Sequence, residues 1–385
     1  MLFYLKLILA RIAIHDDRIK LRHIKLTIMN AELNPRTYFI KASHESNVMP
    51  ILDVVLISKN NSCNIETTLL FDTNVLIAME KAITKNAKES QLKEYGLANL
   101  VSVLKKSPSQ SVYLSTGLAL HEMPPSLAEQ AKASYEIFMA KFLPTFIDTP
   151  NAINIKYQGK QFDYRFFDLE EVAQEILAIP FISLLYLGMI DKFYAGKPIE
   201  KFKEYIRLVI AELDVLTTTE MEIAKYCFAN PPSSALETIN KRKVIRSNFL
   251  KTKNNKLPVD SAEAIAIAFN GACDINLLNT ANIQDKKVLD DNLQDIWIAT
   301  RDKKLYEFCC IFHHINLDGH VGKYSASISL QDQKDDKYWK EAQQIQSEIL
   351  QERKIHAVLP RSDASMIIRA QKAVDTIKSK FSNQI

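Results

Sequence analysis

The sequence predicts an α/β protein built on a parallel sheet, and three observations carry that prediction. Short apolar or β-branched runs end in an acid, as in TTLLFD (residues 67–72) and IWIATRD (residues 296–302). A helical pattern starts directly after the first of these, in TNVLIAME. Long stretches between them carry apolar residues three and four apart, as at Phe202, Tyr205, Ile206, Val209, Ile210 and Leu213. A buried parallel strand that delivers a side chain at its C-terminal edge has this appearance: an apolar run, then an acid.

Composition bounds the answer. Of 385 residues, 47% are hydrophobic and 24% charged, enough apolar material for a sizeable core. That length suits two or three folding units, or one domain with large insertions. Only 8 glycines occur, which excludes a Gly-rich repeat and weakens any phosphate-loop reading. The 49 Lys and Arg against 45 Asp and Glu leave a net charge of +4, too small to announce a polyanion partner. Five cysteines, widely spaced and without a C-x-x-C, argue against a disulfide framework or structural zinc. They read as reduced thiols of a cytoplasmic protein.

In chain order, residues 1–66 read as a strand-rich extension. MLFYLKLILARIAI is broken by Lys6 and Arg11 and reads as a buried element, not a signal peptide. Ile24, Leu26 and Ile28 alternate with polar residues, and Met49 to Ile57 is a second apolar run. Residues 67–126 form the first part of a core. They hold a strand over 67–71, Asp72 and a helix, then a strand over 112–114 and a short helix over 117–122 stopped by Pro124 and Pro125. Residues 127–257 read as a helical insertion, with a helix start where Glu171 follows Asp168. ILAIPFISLLYLGMI (residues 176–190) holds Pro180 and is shorter than the roughly 20 residues of a membrane span. It is expected to be a kinked buried helix, with no membrane contact; Val172, Ile176 and Ile179 are expected in the core. Residues 258–330 form the second part of the core. Asp260 caps a helix over 261–269, a polar stretch runs from Asp274 to Asn292, and a strand over 296–299 leads to Thr300, Arg301 and Asp302. A further strand is expected over 309–312. Residues 331–385 read as a charged helical tail.

Four acids stand at element boundaries: Asp72 and Asp302 after strands, Glu122 at the end of a short helix, Asp260 at the start of a long one. Strand C-termini and helix N-termini share one edge of a parallel sheet, where sites form. Converging carboxylates repel one another and call for a cation, and oxygen-only ligands suit Mg²⁺ or Mn²⁺. Such an ion can activate water toward a phosphodiester with no covalent nucleophile. His121 reads as a surface or packed histidine. The neighbours His313 and His314 face opposite ways on a strand and do not form a ligand pair.

The segments DTNVLI, STGLALHE, DSAEAIAIA and IATRD resemble the four acidic motifs of PIN-domain nucleases, which include the ribonuclease toxins of type II toxin–antitoxin modules. The likeness covers residues 66–126 and 257–313. It implies a three-layer α/β/α sandwich with a parallel sheet, here with a large helical insertion and terminal extensions. It also implies a metal-dependent endoribonuclease in which Asp72, Glu122, Asp260 and Asp302 hold Mg²⁺ or Mn²⁺, with Asn74 and Thr300 in supporting places. The stretched spacing between Asp260 and Asp302 leaves Glu263 and Asp295 as alternative sources of the third acid. RNA is the expected substrate. A toxin or antiviral role with an inhibitory protein partner fits such an activity. A nuclease acting on DNA or structured nucleic acid, and a non-catalytic scaffold that binds proteins, are the alternatives.

The stretch KRKVIRSNFLKTKNNK (residues 241–256) has seven basic residues and no acid. Its Lys241, Arg242, Lys243 and Arg246 are expected to contact phosphates.

Overall fold

The computed structural model describes residues 35–44, 48–146, 165–215, 217–252, 254–289, 291–316, 323–327, 336–355 and 365–383. The alternating stretch at Ile24–Ile28 lies outside them. The chain is mixed α/β and mostly helical. Strand β1 (Tyr38–Ile40) is followed by helix α1 (Val54–Ser62), β2 (Ile65–Phe71), α2 (Thr73–Thr84), α3 (Ala98–Lys106), β3 (Val112–Ser115), α4 (Gly117–His121) and α5 (Pro125–Phe142). Then come α6 (Glu171–Phe193), α7 (Pro198–Leu213), α8 (Thr218–Phe228), α9 (Leu236–Phe249) and α10 (Ser261–Gln284). The chain continues through β4 (Val288–Leu289), β5 (Asn292–Thr300), α11 (Lys303–Cys309), β6 (Phe312–Asn316), β7 (Lys323–Ser327), α12 (Lys337–Ile355) and α13 (Met366–Ser382).

The main sheet runs β1-β5-β2-β3, with β4 paired to β5. Strands β5, β2 and β3 are parallel, as expected. The sheet as a whole is mixed, which corrects the expectation of a parallel one: β1 and β4 lie antiparallel to β5. β4 is the short arm of a hairpin turned by Asp291, whose φ is 65°. β1 adds an edge strand beside β5, so the sheet takes in Tyr38–Ile40 from the expected extension.

Alternation along β2 and β5 builds a core on each face. Leu69, Phe71, Trp297 and Ala299 join one apolar cluster with α2, α3 and α5. Leu70, Ile296 and Ile298 join the other with α6 to α11 and α13. Period-two burial on both faces marks strands covered on both sides. The helices of residues 127–257 therefore share their cores with the sheet.

Several local expectations shift. The run from Met49 breaks where Asp53 caps α1, accepting from Leu56 N at 2.8 Å. Pro124 and Pro125, expected to stop one helix, begin the next: Pro at the first helical position leaves no donor wasted. The helix expected from Asp168 starts at Glu171. It includes Pro180, is long and apolar enough to cross a membrane, and buries 61% of its most apolar window inside the molecule. Val172 and Ile176, expected in the core, lie exposed on its first turns. The strand expected over 309–312 is the end of α11, with β6 starting at Phe312. α13 docks Ala370, Ala373, Val374 and Ile377 into the core beside α6. The five cysteines are free.

A buried acid in the helical part gives a pH-dependent stability. Glu220 on α8 is 3% exposed, and its Oε1 has no hydrogen-bond partner among the described residues. Burial raises its carboxyl from 4.5 to about 7. Between those values the folded state holds the proton and the unfolded state does not, so this stability is complete below pH 4.5 and is lost as pH rises through 7. At 1.36 kcal/mol per unit, Glu220→Gln is expected to gain about 3 kcal/mol over the wild type at pH 8 and almost nothing at pH 4. Urea unfolding at the two pH values checks this, and a gain independent of pH refutes it.

Candidate active site

The site lies at the C-terminal edge of the three parallel strands. Phe71 on β2 pairs with Ala299 on β5, so the residues that follow, Asp72 and Thr300, emerge side by side. Asp72 caps α2, accepting from Asn74 N at 3.3 Å, and is 8% exposed. Asn74 Nδ2 donates to Asp72 Oδ2 at 2.5 Å and to Thr300 Oγ1 at 3.2 Å, and its Oδ1 accepts from Arg301 N at 2.6 Å. Thr300 Oγ1 donates to Asp72 Oδ2 and accepts from Asp302 N at 2.9 Å. One amide and one hydroxyl thus fasten the end of β2 to the end of β5 and fix the Asp72 carboxylate. Asn74 and Thr300, expected in supporting places, both hydrogen-bond to the Asp72 carboxylate.

Asp302 caps α11, its Oδ1 accepting from Lys304 N at 2.6 Å and Leu305 N at 3.3 Å. Glu122 follows the short α4 beyond β3 and is 5% exposed. Thr73 Oγ1 donates to its Oε2 at 2.6 Å. Asp72, Asp302 and Glu122 thus stand at the same edge of the sheet, beyond the ends of β2, β5 and β3.

Asp260 does not join them. It is exposed at the N-cap of α10, accepting from Glu263 N at 2.8 Å. Glu263 reaches back to Val259 N at 2.9 Å. Both are engaged in a reciprocal cap. Asp295, the other alternative, points away: its carboxylate takes Lys41 Nζ at 2.7 Å, Asn60 Nδ2 at 2.7 Å and Trp297 Nε1 at 2.7 Å. The fourth acid is Asp274, in the middle of α10, which sequence reasoning left in a polar stretch. α10 runs on to Gln284 because Ala268, Ala272, Ile275, Leu278 and Ala281 keep an apolar stripe at helical spacing. Gly271 lets neighbours close onto α10 there, since a Cβ would fall 2.7 Å from Leu184 Cδ1 and 3.0 Å from Phe249 Cδ1. Next to Phe249, Asn248 Nδ2 donates to Asp274 Oδ2 at 3.3 Å.

The four carboxylates lie near enough for each to feel the charge of at least one other. Burial, with the charge of Asp302 adding to it, raises Asp72 from 3.8 to about 6 against its hydrogen bonds to Thr300 and Asn74. Burial and the Asp72 charge raise Glu122 from 4.5 to about 8. Burial, then Asp302, Asp72 and Glu122, push Asp274 well above its ordinary value. Burial, with Glu122, Asp274 and Asp72, keeps the neighbouring Cys273 thiol protonated. None of the four carboxylates has a Lys or Arg partner among the described residues. Asp302 Oδ2, Asp274 Oδ1 and Glu122 Oε1 have no protein donor among those residues. Among the described residues no three His, Cys, Asp or Glu side chains are gathered closely enough to hold an ion as they stand. The donor set is all oxygen and makes no ion pair with Lys or Arg among the described residues, and therefore suits Mg²⁺ or Mn²⁺ in chemistry.

The basic run divides. Arg246 makes a two-pronged ion pair with Asp191, Nη1 to Oδ1 at 2.6 Å and Nη2 to Oδ2 at 2.7 Å, so its charge is used inside the protein. Lys241 lies 3.6 Å from Glu237. Arg242 and Lys243 make no ion pair among the described residues.

Fold and site together define a mixed α/β protein with a partly buried set of acids at the edge of its parallel strands. No protein-family model matches the chain, and neither a curated protein nor a solved structure matches it.

Proposed function

We propose that this chain is a PIN-like, metal-dependent nuclease that hydrolyses RNA phosphodiesters. The observation that carries the reading is that Asp72, Glu122, Asp274 and Asp302 feel one another's charge and none has a Lys or Arg ion partner among the described residues. The three-layer arrangement, with cores on both faces of the sheet, supports it. Relative to the sequence-based quartet, Asp274 takes the place of Asp260.

Asp72, Asp274 and Asp302, with Glu122, would hold the ion. When bound, Mg²⁺ or Mn²⁺ supplies Lewis-acid activation of water and of the scissile phosphate. The chain's own groups set the geometry. Asn74 and Thr300 lock the Asp72 carboxylate, Thr73 orients Glu122, and Asn248 holds one oxygen of Asp274. A site on strand and helix ends is held by the rigid part of the fold.

Labelled single-stranded RNA with Mn²⁺ tests this. The wild type is expected to cleave, and Asp72→Asn to lower the rate at least about 100-fold, with an unchanged circular dichroism spectrum. No cleavage of RNA or DNA in Mg²⁺ or Mn²⁺ overturns the reading. Cleavage of DNA alone keeps the chemistry and replaces the substrate. A toxin or defence role with an inhibitory partner is compatible with such an activity.

A further inference from the structure

The second half of α9 and the residues just after it gather positive charge near the acidic cluster. Arg242 and Lys243 lie on α9, and Lys251 follows just beyond its end. Lys304, at the start of α11, donates to the carbonyls of Ser247 at 3.0 Å and Thr252 at 3.4 Å, which pins its ammonium to the same place. Burial, then the charges of Arg246, Arg242, Lys243 and Lys304, lower the Lys251 pKa. Burial, with Arg246 adding to it, lowers Arg242, whose buried Nε has no hydrogen-bond partner among the described residues. Five cations thus feel one another. The carboxylate that approaches them, Asp191, is taken by both prongs of Arg246. Arg242, Lys243 and Lys251 have no carboxylate partner among the described residues. The negative end of the α9 dipole acts within the last turn, where Arg246 stands, and does not account for Arg242, Lys243, Lys251 and Lys304.

Position supplies the rest. Asn248, between these cations in sequence, touches Asp274, and Lys304 sits two residues after Asp302. The positive surface therefore adjoins the acids. A chain of phosphates spaced along a backbone can be shared by cations on two helices and continue onto the neighbouring cluster, which a single anion cannot do.

We propose that Arg242, Lys243, Lys251 and Lys304 form a platform for the phosphodiester backbone of a single nucleic-acid strand, holding it against the cluster of Asp72, Glu122, Asp274 and Asp302. The assignment rests on the nuclease reading for its location, and it replaces the sequence-based set. Arg246 and Lys241 leave it because their charges are engaged, and Lys251 and Lys304 enter it. Such a platform reads no sequence and weakens with salt.

The test is binding of the full chain to a labelled single-stranded RNA of about 20 nucleotides in EDTA, followed by anisotropy across salt concentrations. Lys243→Glu with Lys251→Glu is expected to weaken binding at least tenfold. The milder Lys243→Gln with Lys251→Gln is expected to flatten the slope of log K against log salt by about 1.4, two contacts at 0.7 each for a single strand. Unchanged affinity and slope in both pairs, with melting temperatures like the wild type's, overturn the platform. Lys241→Gln is the control and is expected to leave the slope unaltered. A DNA strand of the same length, tested in parallel, shows which backbone is held more tightly. Cleavage assays on the same samples separate the two readings. Weakened binding with no cleavage by the wild type keeps the platform and removes the nuclease. Cleavage with unaltered binding does the reverse.

Discussion

Replacing Asp274 with Asn is expected to lower RNA cleavage at least about 100-fold, a loss of about 2.7 kcal/mol of transition-state stabilisation. Asp260→Asn is expected to leave the rate within about twofold. The contrast follows from where α10 puts the two residues. They are fourteen positions apart on one helix, which at 1.5 Å per residue is about 21 Å. Asp260 is exposed and caps the helix, a duty Asn performs equally well. The charges of Asp302, Asp72 and Glu122 act on Asp274 together with burial. Its Asn variant would keep the size and the contact with Asn248 while removing one negative charge from the cluster. Rates with Mn²⁺ for the two variants, each checked for an unchanged melting temperature, decide the matter. Equal loss in both, or loss in Asp260→Asn alone, would restore the quartet read from sequence.

The same pair of residues shows what a sequence makes legible. Asp72 and Asp302 could be found because a buried strand, an acid and a helix follow one another locally. Glu122 could be found because a short strand and a short helix deliver it. Asp274 has no such boundary: it is an acid inside a helix whose visible surface is rich in Asn and Asp. The signal was there in the small and aliphatic residues at 268, 272, 275, 278 and 281, but polar neighbours between them hid the stripe. Partners distant along the chain were not legible at all. Nothing near Arg246 announces Asp191, and nothing near Tyr38 announces Thr300, its partner across β1 and β5. Charge runs state how many cations there are, and folding decides which of them remain for a ligand.

Lys41→Met is expected to cost about 3–5 kcal/mol of stability, as breaking a buried ion pair on one side does. Just after β1, the Lys41 ammonium bonds Asp285 Oδ1, Asp295 Oδ1 at 2.7 Å and the Ile296 carbonyl at 3.1 Å. The Lys41 and Asp285 side chains are 9% and 1% exposed. Asp285 also accepts from Ile296 N at 3.0 Å, and Asp295 binds Asn60 and Trp297. This network joins the edge strand β1, helix α1, the end of α10 and the central β5. Met matches the length of the Lys stem but leaves two carboxylates without their cation in a poor solvent for charge. Adding Asp285→Asn and Asp295→Asn should recover part of the loss, because amides need no counter-charge. Urea unfolding of the single and triple variants measures both effects. Asp295 is five residues before Thr300, roughly 17 Å along the strand from the acidic cluster. Folded Lys41→Met protein, assayed below its melting temperature, is therefore expected to cleave RNA at the wild-type rate. A severe rate loss without a stability loss would move Asp295 back among the catalytic candidates.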